Sequence, residues 1–289
     1  MMRELLRRVG GMALVSGVAV ALACGGAEEP GEAPEEEVAE EAGPVVPPDS
    51  AATITGVVNF EGTAPEPEPI DMSEEPTCAE QYEGQPRKHP VVAVDGKLAR
   101  VYVHVKEGLG DRTFPTPSEP VTLDQQGCRY RPHVLAIQVG QPLEIVNSDG
   151  ILHNINTQPQ VNRGFNISQP VEMTTTRDFT DPEVMIPVKC DVHGWMEAYI
   201  GVQDHPYAAV SDSSGAFTLE NLPPGDYVLE AWHERYGVQT ASVSVEAGGS
   251  AQADFSYSAD MAGAEVPLGE PIDLHDHGSE TASRAAVSR

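Results

Sequence analysis

The segment Val188-Lys-Cys-Asp-Val-His-Gly-Trp-Met196 places Cys190, His193 and Met196 at three-residue intervals, and His153 lies 37 residues before the cysteine. A thiolate, two imidazoles and a thioether form the ligand set of a blue-copper site, trigonal His2Cys with a weak axial Met. The spacing has a mechanical reason. A segment following one strand delivers His153, and a single short loop between two strands delivers the other three ligands. A rigid sandwich can then hold a geometry between the preferences of Cu(I) and Cu(II), so that electron transfer involves little rearrangement. Cys190 could instead be a buried structural thiol. Zinc could take the cysteine and both histidines, but methionine is a poor zinc ligand. A binuclear copper centre would need a second cysteine in the loop, and there is none.

The elements around these residues read as strands and turns. Val101, Val103 and Val105 alternate with Tyr102, His104 and Lys106 across Ala99–Lys106, which predicts a strand with His104 on its polar face, in a surface or cross-strand role. Further strands are expected over 54–60, 134–139, 143–147, 184–188, 198–202, 217–219, 227–232, 241–245 and 251–257. Turn signals such as Gly140-Gln-Pro142, Asp149-Gly150 and Pro223-Pro-Gly-Asp226 separate them. Gly (27) and Pro (25) are abundant, and no amphipathic helix is evident, so the expected class is an all-β sandwich architecture.

With its Cys-x2-His-x2-Met loop, its Asn154 directly after His153, and the run Val139-Gly-Gln-Pro-Leu-Glu-Ile-Val-Asn147, the stretch from about Val121 to Gln203 resembles the cupredoxins, most of all those of the amicyanin type. The resemblance implies a Greek-key sandwich holding one type 1 copper at His153, Cys190, His193 and Met196. It implies that Asn154 ties the two ligand loops together and donates hydrogen bonds near the thiolate, and that His193 is the electron port. Gly194 and Trp195 depart from the pattern, standing where proline or phenylalanine is common.

Val210-Ser-Asp-Ser-Ser-Gly-Ala-Phe217 and Leu222-Pro-Pro-Gly-Asp-Tyr227 resemble the carboxypeptidase regulatory-like, transthyretin-type sandwich, a family whose role is usually structural or ligand-presenting. Its usual opening strands have counterparts before the copper segment, at 54–60 and 101–106. The expected organisation is therefore a signal peptide (1–23), an acidic disordered tether (24–50), the first part of this sandwich (51–110), a cupredoxin unit (111–203), the remainder of the sandwich (204–258) and a disordered tail (259–289). The cupredoxin is packed with the second sandwich or inserted into it; two domains in series is the alternative.

Arg3, Arg7 and Arg8 precede an apolar run from Val9 to Ala23, too short to span a bilayer and suited to an export signal. Val20-Ala-Leu-Ala-Cys24-Gly-Gly resembles a bacterial lipobox with Cys24 as the acylated residue, which places the chain on the periplasmic or cell-surface face of a membrane. There disulfides persist, and Cys78 with Cys128 is the candidate pair. The net charge of −28 excludes nucleic acid as a partner. Seventeen acids and no bases fall between Cys24 and Pro86, an extended, self-repelling stalk; the remaining charge could steer a basic redox partner. His205 and His233, in polar-aromatic settings near the proposed junction, read as structural, and His275 and His277 as part of a solvated tail. The combined expectation is a lipid-anchored electron carrier with a redox protein partner and no enzymatic activity. The alternatives are a copper-delivery lipoprotein and a surface module that binds glycans.

Overall fold

The computed structural model describes residues 46–47, 49–263 and 270–271, all inside one compact unit, Glu41–Arg289. The export signal, Cys24, nearly all of the tether, His275 and His277 lie outside the described residues. The fold is all-β. Helix among the described residues is confined to one turn at Pro76–Ala79 and a 3-10 turn at Ala259–Met261.

One sandwich draws its strands from both ends of the described chain. Strand Ala52–Glu61 buries Ile54, Val58 and Phe60 on one face, as its alternation requires. It pairs antiparallel with Ala216–Leu222 and parallel with Ser250–Gln252 and Phe255–Ser258. The single expected strand over 251–257 is thus two. Between them Ala253 N donates to Thr55 O, and Asp254 Oδ1 takes the Val57 N–H at 2.8 Å. The facing sheet runs Ala208–Val210, Tyr102–Glu107, Gly225–His233, Gly237–Val245. Val103, Leu219, Leu229 and Tyr257 belong to the shared core.

Residues 121–203 build a second sandwich. Its first sheet is Met173–Arg177, Leu143–Asn147, Val121–Gln125, Tyr130–Arg131; its second is Asn166–Gln169, His153–Thr157, Glu183–Lys189, Glu197–Gln203, Val134–Gln138. Leu123, Ile145, Ile155, Ile186, Val188 and Ile200 fill the space between them, together with Cys190 and Met196. Glu270–Pro271, in the segment expected as disordered tail, pairs antiparallel with Glu183 and Val184.

A small third cluster, including Tyr102, Trp232, Val134, Val184 and Met185, joins the two sandwiches. Gly201 lets them approach: a Cβ there would overlap the Tyr102 ring. This contact decides between the two roles expected for His104, for the cross-strand one and against the surface one. Its strand is covered on both faces, by the first core at Val103 and Val105 and by the second sandwich at Tyr102. His104 is accordingly only 1% exposed. Its Nε2 lies 3.3 Å from Glu230 Oε1 on the neighbouring strand, and Glu230 also holds Lys106 at 2.5 Å. Alternation of polar and apolar residues located the two faces, but the polar one meets protein rather than water.

His205 and His233 are held by backbone groups and aromatic neighbours. His205 Nε2 lies 3.0 Å from Val105 O, with its ring stacked on Tyr207; His233 stacks on Tyr236. Burial pushes each down to about 4, and Glu234 only partly opposes the shift at His233. Both are neutral in the fold, whereas an unfolded histidine titrates near ~6.5. The stability they contribute is complete above that value and is lost as pH falls through about 4. Each should cost the fold on the order of 2–3 kcal/mol by about pH 4.5. Urea midpoints at pH 7 and 4.5 test this, and a flat profile would rule it out.

Candidate metal centre

Cys190 follows directly on strand Glu183–Lys189, and Glu197–Gln203 starts directly after Met196, so Cys190, His193 and Met196 sit in one tight strand-to-strand connection. The loop closes on itself: Met196 N donates to His193 O at 2.9 Å, and Cys190 N to Met196 O at 3.3 Å. His153 opens the neighbouring strand, His153–Thr157, whose Asn156 is registered with Lys189. The pairing of these two strands brings residues 37 apart to one end of the sheet.

One ligand atom from each of His153, Cys190 and His193 lies within 4.8 Å of the others, and all three residues are buried. His153 Nδ1 and His193 Nδ1 are 2.9 Å apart, and Cys190 Sγ is 3.8 Å from His193 Nδ1. Met196 is buried in the same core. Burial by itself would raise the Cys190 thiol. Hydrogen bonds from both imidazoles and from the backbone N–H groups of Asn154 and His193 overcome this and bring it down to about 6. A metal-ligating cysteine must be a thiolate, and these donors prepare that state.

Asp149 emerges from the structure and not from the sequence. Its Oδ2 lies 2.9 Å from His153 Nε2 while its carboxylate takes the N–H groups of Gly127 and Cys128, both at 2.7 Å. The partnership occupies Nε2 of His153 and leaves Nδ1 facing Cys190, as a ligating imidazole requires. Burial opposes the charge on His153, but Asp149 and Cys190 outweigh it and raise the imidazole to about 8. Asp149 and His153 form a second cluster with Cys128, but that sulfur is committed to a disulfide with Cys78.

Asn154 does join the two ligand segments. Its Oδ1 accepts the Asp191 N–H at 2.7 Å and lies 3.3 Å from Cys190 Sγ, while its Nδ2 donates to Asn166 and Asp191. The N–H that reaches the thiolate is therefore the backbone one. His193, expected as a port, is 1% exposed. The helical turn and its disulfide cover it: Glu75 Oε1 and Cys78 Sγ each lie 3.9 Å from Nε2. The Trp195 ring stands 5.2 Å away, and its Nε1 donates to Cys128 O.

The donor set, two imidazoles and a thiolate on a buried scaffold, can hold a metal ion. Residues 197–258 match the model of the carboxypeptidase regulatory-like domain. The match begins in strand Glu197–Gln203, which the structure places in the same sheet as His153–Thr157. No curated protein matches the chain. Among solved structures, a copper-containing nitrite reductase from Thermus scotoductus SA-01 is 20% identical, with a TM-score of 0.28 over 50% of this chain and 28% of that one. An oxidised proline-to-glycine variant of amicyanin is 16% identical, with a TM-score of 0.27 over 35% of this chain and 98% of that one. The chain thus spans little more than a quarter of the nitrite reductase and nearly all of amicyanin. Among the described residues, no helix is long and apolar enough to cross a membrane.

Proposed function

We propose that the chain is an extracytoplasmic, lipid-anchored blue-copper protein that carries single electrons between redox partners and is not an enzyme. The observation that carries this reading is the buried convergence of two Nδ1 atoms with a cysteine sulfur already drawn towards thiolate. Copper, when bound there, supplies a one-electron couple. The chain's own residues fix the donors: Asp149 orients His153, Asn154 links the two ligand segments, and the bonded 190–196 loop limits rearrangement. Met196, buried in the same core, would supply a thioether as a further ligand. One such site is proposed, and residues 111–203 are read as a unit inserted between 51–110 and 204–258. The Cys78–Cys128 disulfide supports an oxidising compartment; Cys24 is the proposed lipid attachment.

Cu(II) added to the purified protein should produce intense visible charge-transfer absorption and a reversible one-electron couple by voltammetry. If neither appears, the reading fails. If colour appears but copper passes readily to an acceptor and no partner reduces it, delivery replaces electron transfer. Asp149→Asn should weaken copper binding by about 10- to 100-fold, the usual effect of losing a carboxylate behind a ligating histidine. A competition titration measures it, and unchanged affinity would show that other contacts hold His153.

A further inference from the structure

A cleft of about 310 Å³ opens beside the metal loop, with Trp195, Met196 and Glu197 on one wall. Lys88, Arg100, Arg129 and Arg131 line the rest of it, with His89 and His133. Residues 49–263 carry four lysines and eight arginines against 31 Asp and Glu. A third of these cations therefore meet in one cleft, which only a single acid, Glu197, lines. The acidic chain has reversed its sign at this place.

Of the four cations only Lys88 is an ion-pair partner, and the three arginines are not. Glu197 is taken by Lys88 at 2.5 Å, and Glu234 by His133 at 2.7 Å. Among the described residues, none of the three guanidiniums has a carboxylate within 4 Å. Arg100 Nη1 donates to His89 O, Arg131 Nε to Gln126 O, and Arg129 to Tyr82 Oη and Arg87 O. Most of their N–H donors remain uncommitted, in the forked geometry that matches oxyanions. Arg100 carries a second, independent sign. It sits in the left-handed backbone region at φ 63°, a conformation that costs a residue with a Cβ on the order of 1 kcal/mol and clusters at ligand sites. Burial, together with Arg129 and Arg131, lowers its basicity, and only Glu234 opposes them. An anion in the cleft would relieve that repulsion.

We propose that this cleft is a binding site for a small multivalent oxyanion, of phosphate or sulfate size, held by Arg100, Arg129, Arg131 and Lys88 against the wall formed by Trp195. The site goes beyond electron transport and does not depend on it, because the metal-free protein contains all of its groups.

The test uses metal-free full-length protein titrated with inorganic phosphate at low ionic strength, followed by calorimetry and by tryptophan fluorescence, which Trp195 reports from the wall. One-to-one saturable binding is expected. It should weaken by about tenfold or more in Arg131→Gln and Arg100→Gln, the usual scale for losing a charged hydrogen bond. Lys97→Gln, away from the cleft, should bind as the parent does. Arg131 is exposed, so its variant decides the matter even if Arg100→Gln fails to fold. Absence of saturation, equal affinity in the Arg131 variant, or equal competition by chloride would overturn the proposal. Binding of polyglutamate without binding of phosphate would also overturn it, in favour of a docking surface for an acidic protein.

Discussion

Cys190→Ser should abolish the visible charge-transfer band and lower copper affinity by more than about 100-fold, beyond the loss of an outer partner, while the metal-free protein keeps its fold. Serine nearly matches the cysteine in volume, so the core around Ile155, Val188 and Met196 need not repack. What changes is the charge. The backbone N–H groups of Asn154 and His193 and both imidazoles act together to lower the thiol to about 6. A serine hydroxyl stays neutral in the same place and supplies no soft donor. Absorption spectroscopy and copper competition read the two effects, and a denaturation curve of the metal-free variant checks the fold. A band that survives the substitution would mean that the thiolate is not the ligand.

Cys78→Ala with Cys128→Ala should cost about 4 kcal/mol of stability. The bond closes a loop across a sequence separation of 50, and the chain-entropy estimate for a loop of that length gives this value. The same pair of substitutions should uncover His193, because Cys78 and Glu75 stand over its Nε2. Chemical modification of His193 in the metal-free protein should become faster in parallel. Some contacts survive the change: Tyr82 Oη donates to Gly127 O, Arg129 Nε to Tyr82 Oη, and Trp195 Nε1 to Cys128 O. A loss of stability well under 1 kcal/mol with unaltered reactivity would show that these alone hold the cover in place.

The nearness of Cys190, His193 and Met196 was legible because the three lie within seven positions, where spacing alone fixes proximity. Leu143–Asn147 was legible to its ends because its alternation is bounded by Pro142 and Ser148. Other features were hidden for physical reasons. In Asn-Ser-Asp-Gly, Asp149 is indistinguishable from any turn aspartate; only the folded chain shows its carboxylate against His153. Tyr102 and His104 mark the more polar face of their strand, and alternation alone does not say that a second sandwich packs on it at Tyr102. The short pairing of Glu68–Pro69 with Arg87–Lys88 spans too few residues for periodicity to register. The cationic cleft assembles residues from positions 88 to 131 in a chain whose net charge points the other way.

Strand Ala208–Val210 lies antiparallel to Tyr102–Glu107, with Ala208 opposite His104. The stretch of chain between them therefore leaves and returns through neighbouring strands, about 5 Å apart. Topologically it is a loop of some hundred residues hung on a single sheet. Closing such a loop while it is unstructured costs roughly 4 kcal/mol, growing only as the logarithm of its length. A stretch that has already folded brings its own ends together and removes most of that cost. An insertion whose two ends already lie on neighbouring strands therefore adds little closure cost to the sheet that carries it.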